Sequence, residues 1–247
     1  MLKRAAKKRL WLHRGRKTLS FDGCEATFNV ESDSDAHSIL HFAREESEIV
    51  TDLLSNLSPD DVFWDVGANM GIYSCLAAER GAEVHAFEPF PPNIGRLEAN
   101  IRLNNGGVNT HQTVLSDGDG TVEFAASEVD PTGSGSVTIG VGSDTPTTEV
   151  ESVRADTLVQ SGDVPAPTIM KIDVEGSEQL VLEGAQDMLQ SVRLLYCEVH
   201  HGTADHRESL ESFGGSEDAL RSILTDVGFS IEEMATSPNE TFLKCQK

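Results

Sequence analysis

The chain has 247 residues, 41 acidic against 19 basic, for a formal charge of −22. It contains no apolar run near the roughly 18 residues that a membrane-spanning helix needs. That length suits one large α/β domain with its own core, and so negative a body repels phosphate backbones, which argues against nucleic-acid substrates.

The charge is unevenly spread. Eight of the bases lie in the first 17 positions, which hold no acid, leaving 41 acids against 11 bases in the rest. Molar salt relieves such self-repulsion by cutting the Debye length to about 3 Å, so the expected setting is the salt-rich cytoplasm of a halophile. The basic leader reads as a frayed, solvated end or as a weak peripheral contact with anionic lipid, at about 1 kcal/mol per basic residue. Leu10-Trp11-Leu12 is too short for the apolar core of a signal peptide. Cys24, Cys75, Cys197 and Cys245 are scattered without a C-x-x-C pair, which points to reduced thiols rather than disulfides or a zinc site.

In chain order, residues 1–44 read as the leader plus an accessory segment, with a hairpin over Thr18 to Val30. Residues 45–247 read as the catalytic domain. Ile49, Leu53, Leu54 and Leu57 predict a helix over 45–57. Val62, Phe63, Trp64 and Val66 then form a short apolar run, as a strand covered on both faces requires. The turn Gly67-Ala68-Asn69-Met70-Gly71 breaks it, and Ile72 to Arg80 resumes with helical character. Gly81 fits a C-cap, and Val84, Ala86 and Phe87 begin a second strand that Glu88-Pro89 ends. Strand, crossover helix and strand make a βαβ unit and hence a parallel sheet.

Such a unit holds adenosine-containing ligands where its first strand meets the helix. Asp65, Gly67, Ala68, Asn69 and Gly71 are the candidate cofactor residues, the small ones leaving room for a ligand at the backbone. Glu88 stands 23 residues beyond Asp65, where a carboxylate accepts a ribose diol at about 1.5–3 kcal/mol per charged hydrogen bond. A dinucleotide fingerprint beginning at Gly67 requires glycines at 69 and 72, where Asn69 and Ile72 stand. Glycines four apart suit the aminoacid end of S-adenosylmethionine, which is favoured over a nicotinamide. The alternative is that Gly67 and Gly71 serve close packing alone.

Pro91 to Asn104 predicts a helix and Val108 to Leu115 a third strand, closed by Ser116-Asp117, a candidate adenine contact or an ordinary turn. Thr121 to Phe124 and Thr147 to Val153 predict a small antiparallel insertion around a loop over Gly133 to Thr148, either a lid or a flexible segment. Thr168 to Gly176 reads as a central strand with Ile169, Lys171 and Asp173 on one face; a lysine there needs a carboxylate partner. Ser177 to Leu189 predicts a helix, Leu194 to His200 a fifth strand, and Ser216 to Gly228 a last helix. Phe229 to Met234 and Thr241 to Cys245 close the sheet. The result is a doubly wound α/β fold with seven main strands.

Together D-V-G-A-N-M-G (65–71), F-E-P (87–89) with P-N (92–93), and K-I-D-V-E-G-S-E (171–178) with L-E-G-A (182–185) resemble the FkbM-type methyltransferases. L-S-D (115–117) and E-V-H (198–200) extend the resemblance, which spans roughly 45–235. It implies a class I, S-adenosylmethionine-dependent fold, a mostly parallel sheet of order 3-2-1-4-5-7-6 with strand 7 antiparallel, and methyl transfer to hydroxyl oxygens of sugars or natural products. A hydroxyl acceptor must lose a proton. Asp173 is the first candidate base, with Glu175 and His200 behind it and Lys171 orienting the carboxylates. Glu198 and His200 also fit a hydrogen-bonded strand end, and His201 and His206 read as solvated. Asp173, Glu175, Glu198 and His200 together have the donors for Mg²⁺, but no metal is expected. A nicotinamide oxidoreductase and a non-catalytic module that retains the cofactor fold are the competing functions.

Overall fold

A computed structural model of the chain describes residues 10–125, 138–139, 147–202, 208–237 and 239–247. The first nine leader residues, most of the Gly133 to Thr148 loop and His206 lie outside the described residues. No described helix is long and apolar enough to cross a membrane.

A hairpin, β1 (Arg16–Phe21) and β2 (Cys24–Asn29), leads into two helices, α1 (Asp33–Glu45) and α2 (Ser47–Asn56). The single helix expected from 45 is therefore α2, and α1 precedes it. Ser32 caps α1: its side chain accepts from the Asp35 amide, and the Asp35 carboxylate accepts from the Ser32 amide in return. Buried Leu19, Ala26, Phe28, Ile39 and Phe42 share one apolar cluster with Leu76 and Leu97 of the following helices, so hairpin and α1 pack directly onto the nucleotide-fold core.

The expected βαβ unit follows as β3 (Val62–Val66), α3 (Ile72–Glu79) and β4 (Glu83–Phe87). Next come α4 (Pro91–Leu103) and β5 (Val108–His111). The expected third strand is in fact two. β5 pairs with β4, whereas β6 (Val114–Leu115) joins a small second sheet. Thr113 makes the break, its hydroxyl donating to the Glu151 carbonyl at 2.9 Å. That sheet also holds β7 (Gly120–Ala125), β8 (Thr138–Ile139) and β9 (Thr147–Val153), with β7 and β9 antiparallel as expected.

After α5 (Ala155–Ser161), the central strand β10 (Ile169–Ile172) precedes α6 (Glu178–Glu183). The helix expected to run to Leu189 stops at Gly184, where the chain passes so close to the Ser116 carbonyl that a Cβ would overlap it. β11 (Leu194–His200), α7 (Glu217–Asp226), β12 (Ser230–Thr236) and β13 (Glu240–Gln246) complete the main sheet. Its order is β12-β13-β11-β10-β3-β4-β5, with β13 antiparallel to both neighbours and the pairs from β11 to β5 parallel. One apolar cluster covers each face, Phe63 and Ile169 turning into one and Trp64, Met170 and Ile172 into the other.

Register carries the polar groups to one place. Asp65 of β3, Lys171 of β10 and Tyr196 of β11 are direct cross-strand partners. The two-residue period then puts Asp173, Glu198 and His200 on that same face at the carboxyl ends of the strands. Lys171 is 3% exposed, with its Nζ 3.0 Å from Asp173, 3.7 Å from Asp65 and 4.8 Å from the centre of the Tyr73 ring. Burial alone lowers its proton affinity, but the charges of Asp173, Asp65 and Glu46 outweigh that and raise it. The lysine is therefore a fixed cation with two carboxylates on it.

Removing that ammonium strands buried negative charge. Lys171→Met is expected to lower stability at pH 7 by about 3–5 kcal/mol. Without the lysine, folded-state Asp65 and Asp173 would titrate above their unfolded values, so the deficit should shrink toward pH 4 and grow as pH rises. Urea melts at both pH values check this; an equal deficit at both contradicts it.

Candidate active site

The turn after β3 is held by its neighbours. The amides of Gly67 and Ala68 donate to the Phe87 carbonyl at 3.0 and 3.1 Å, and Asn100 Nδ2 donates to the Met70 carbonyl at 2.8 Å. Gly67 has φ +80°, and a Cβ there would overlap the Asp173 carbonyl oxygen; at Gly71 a Cβ would overlap the Leu97 side chain. The Cβ direction at both glycines is thus filled by the protein itself, while Gly67 still lines the cleft described below. Asn69 has φ +49°, uncommon for a residue with a Cβ, and its buried Oδ1 has no partner. Beneath the turn Asp65, 1% exposed, accepts from Ser74 Oγ at 2.5 Å.

Glu88 closes on this turn. Its Oε2 accepts from the Asn69 amide at 2.8 Å and its Oε1 from the Phe90 amide at 2.9 Å, and the Asn93 side chain also hydrogen-bonds to it, which still leaves acceptor capacity on the carboxylate. Burial pushes its pKa up to about 7 against the lowering effect of those amides. Ser116 is buried just beyond β6, its amide on the Val153 carbonyl at 3.1 Å and its Oγ 3.1 Å from Asp117 Oδ1.

Alongside the turn lies a cleft of about 350 Å³. Gly67 to Met70 form one wall; Lys171, Asp173, Glu175, Glu198 and His200 line it from the strand ends. The rim comes from α1 through His37, Ser38 and His41, and from Glu46, Tyr73 and Glu240. Sequence reasoning did not single out α1, Glu46 or Glu240 for this role.

The acids of the cleft differ in charge. Burial works against ionised Asp173, but Lys171 and then His200 hold its pKa below the usual value, so it stays ionised. Burial pushes Glu46 up to about 7, where Tyr73 OH donates to its Oε2 at 3.0 Å. Glu198 is raised well above the carboxylate range by burial and by the charges of Asp173 and Glu46. Near neutral pH Asp173 is therefore ionised, whereas Glu198 holds its proton more tightly than an ordinary carboxyl group.

His200, 4% exposed, presents Nε2 to Asp173 at 3.8 Å and to Glu175 at 3.7 Å, while Nδ1 lies 2.7 Å from Glu178 Oε1. Burial disfavours its charged form, but the Glu178 hydrogen bond and the surrounding carboxylates raise its pKa well above 6.5. Glu178 was not a sequence candidate; the structure makes it the partner of one. Among the described residues, Asp173, Glu198 and His200 can bring ligand atoms within 4.8 Å of one another, a spacing open to a metal ion. Lys171 already supplies the counter-charge that an ion would bring to Asp173. The acceptors at the turn suit a cationic, hydroxyl-rich ligand: the orphaned Asn69 Oδ1, the spare lone pairs of Glu88 and ionised Asp173.

Residues 65–231 match the model of the methyltransferase FkbM domain. Hexuronic acid methyltransferase AglP of Haloferax volcanii is 37% identical over 180 residues, 73% of this chain and 72% of that protein. The 31-O-demethyl-FK506 methyltransferase FkbM of Streptomyces tacrolimicus is 30% identical over 174 residues, 58% of this chain and 67% of that protein. Two solved structures share the fold. Methyltransferase FkbM from Methylobacillus flagellatus has a TM-score of 0.51 at 17% identity, over 99% of this chain and 59% of that one. Magnesium protoporphyrin IX methyltransferase from Synechocystis, with S-adenosylmethionine bound, also gives 0.51, at 15% identity over 86% and 83%. The chain belongs to the FkbM methyltransferase family and is an S-adenosylmethionine-dependent methyltransferase.

Proposed function

We propose that the chain moves the methyl group of S-adenosylmethionine to an oxygen of a sugar unit, in a glycan or a small metabolite. The observation that carries this reading is one ionised carboxylate, Asp173, held by Lys171 at the mouth of the cleft. The relative named for hexuronic acid supports a sugar acceptor. In this reading residues 45–247 are the catalytic domain, and the accessory segment before them contributes the cleft rim.

Asp65, Gly67, Ala68, Asn69 and Gly71 shape the cofactor turn, Glu88 takes the ribose hydroxyls, and Ser116 and Asp117 flank the adenine. When bound, the sulfonium supplies an electrophilic methyl carbon. The protein's task is alignment, which can contribute about 7–11 kcal/mol. Asp173 faces the methyl and takes the proton of a hydroxyl acceptor, with Glu175 and His200 beside it and Lys171 fixing its direction. Glu198, with its proton affinity raised further, is the poorer base near neutrality, whereas Glu46, at about 7, can give or take a proton there.

A hydroxyl needs that base and a carboxylate does not. Asp173→Asn is therefore expected to lower transfer to a neutral sugar by about 10²–10⁴-fold and to leave transfer to a uronate carboxylate within about tenfold. Radiolabelled methyl counted on both acceptor types reads the split. Equal losses on both would reduce Asp173 to a partner of Lys171.

The same reading places the protein in a reducing, salt-rich cytoplasm. Its support is the 41 acidic residues and four buried, unbridged cysteines. Thermal melts should rise strongly from low to multimolar KCl; equal melting temperatures would remove the halophilic setting.

A further inference from the structure

Glu178 is fully buried, yet it carries a carboxylate that the reaction scheme above does not use. Its Oε1 lies 2.7 Å from His200 Nδ1 and 2.9 Å from the Gly176 amide nitrogen, and its buried Oε2 has no partner among the described residues. With an N–H of the peptide already aimed at Oε1, the carboxylate acts there as acceptor and the hydrogen sits on Nδ1. That fixes the ring: Nε2 is left facing the cleft, 3.7–3.8 Å from Glu175 and Asp173.

The turn that delivers Glu178 is tightly determined. Glu175 takes φ +52°, and Gly176 runs against the backbone of Ser209, where a Cβ would sit 2.7 Å from its nitrogen. A buried acid with one unsatisfied oxygen is a poor way to stabilise a helix start, since a neutral side chain avoids the desolvation cost. The same carboxylate is well suited to stabilising the protonated ring and fixing its orientation, as buried acids do for catalytic histidines.

We propose that Glu178 is a positioning residue for methyl transfer: it locks His200 so that Nε2 meets the acceptor oxygen beside Asp173. This rests on the cleft being the transfer site. Glu178 itself touches neither acceptor nor cofactor and acts through the ring.

The test has two arms on the full chain. In the first, ¹⁵N spectra of histidine-labelled protein without cofactor, with His200→Asn for assignment, should show His200 protonated and hydrogen-bonded at Nδ1 in the wild type. Glu178→Gln should shift or broaden those resonances. In the second, Glu178→Gln should lower kcat about 10²-fold with the S-adenosylmethionine Kd within about twofold, and Glu178→Asp should recover part of the loss. A wild-type His200 that is unprotonated at Nδ1 overturns the proposal even where the variant does not fold, as do unchanged spectra and kcat in Glu178→Gln. If the spectra behave as expected but no sugar acceptor is ever methylated, the acceptor reading falls while the Glu178–His200 contact stands.

Discussion

A lysine inside a parallel sheet is the constraint on which the rest of this structure depends. Lys171 lies on the strand between β3 and β11, and its charge is tolerable only because Asp65 and Asp173 meet it on the same face. The register that joins these strands is the one that carries Gly67 under the Asp173 carbonyl. Shifting β10 by one residue would turn the ammonium into the opposite apolar cluster and send Met170 and Ile172 into the cleft. Ion cluster, glycine turn and the cleft beside it are thus consequences of one alignment.

The alignment also sorts a crowded set of acids by function. Lys171 and His200 keep Asp173 ionised, whereas Glu46 and Glu198 share the burial without equal compensation and hold protons more tightly. The same carboxyl group thus carries different proton affinities at neighbouring positions. The histidine between them is oriented from behind by an acid that solvent never reaches.

Much of this was legible in the sequence wherever a local pattern carried the information. The apolar run before Gly67, the proline after Glu88 and the lysine among Ile169, Met170 and Ile172 specified the βαβ unit and the need for a carboxylate partner. Helix α1 escaped because its apolar residues are spaced among histidines, serines and acids; the Ser32–Asp35 capping box was its available signal. Distances between elements were not legible. That Gly67 and Gly71 make room for Asp173 and Leu97 follows only from strand register and helix packing. Glu178 looks like an ordinary acid in the first turn of a helix until β11 brings His200 to it from 22 residues away. The break of the third strand at Thr113 depends on Glu151, 38 residues further along the chain.

The central claim is that this one alignment presents a cofactor turn and an acceptor cleft on either side of the same methyl position. A crystal structure with S-adenosylhomocysteine tests it most directly. The account predicts both ribose hydroxyls on Glu88 and the thioether sulfur opening toward Asp173 across the Gly67 turn. A nucleoside bound away from Glu88, or a sulfur facing away from the cleft that His200 and Asp173 line, would contradict it.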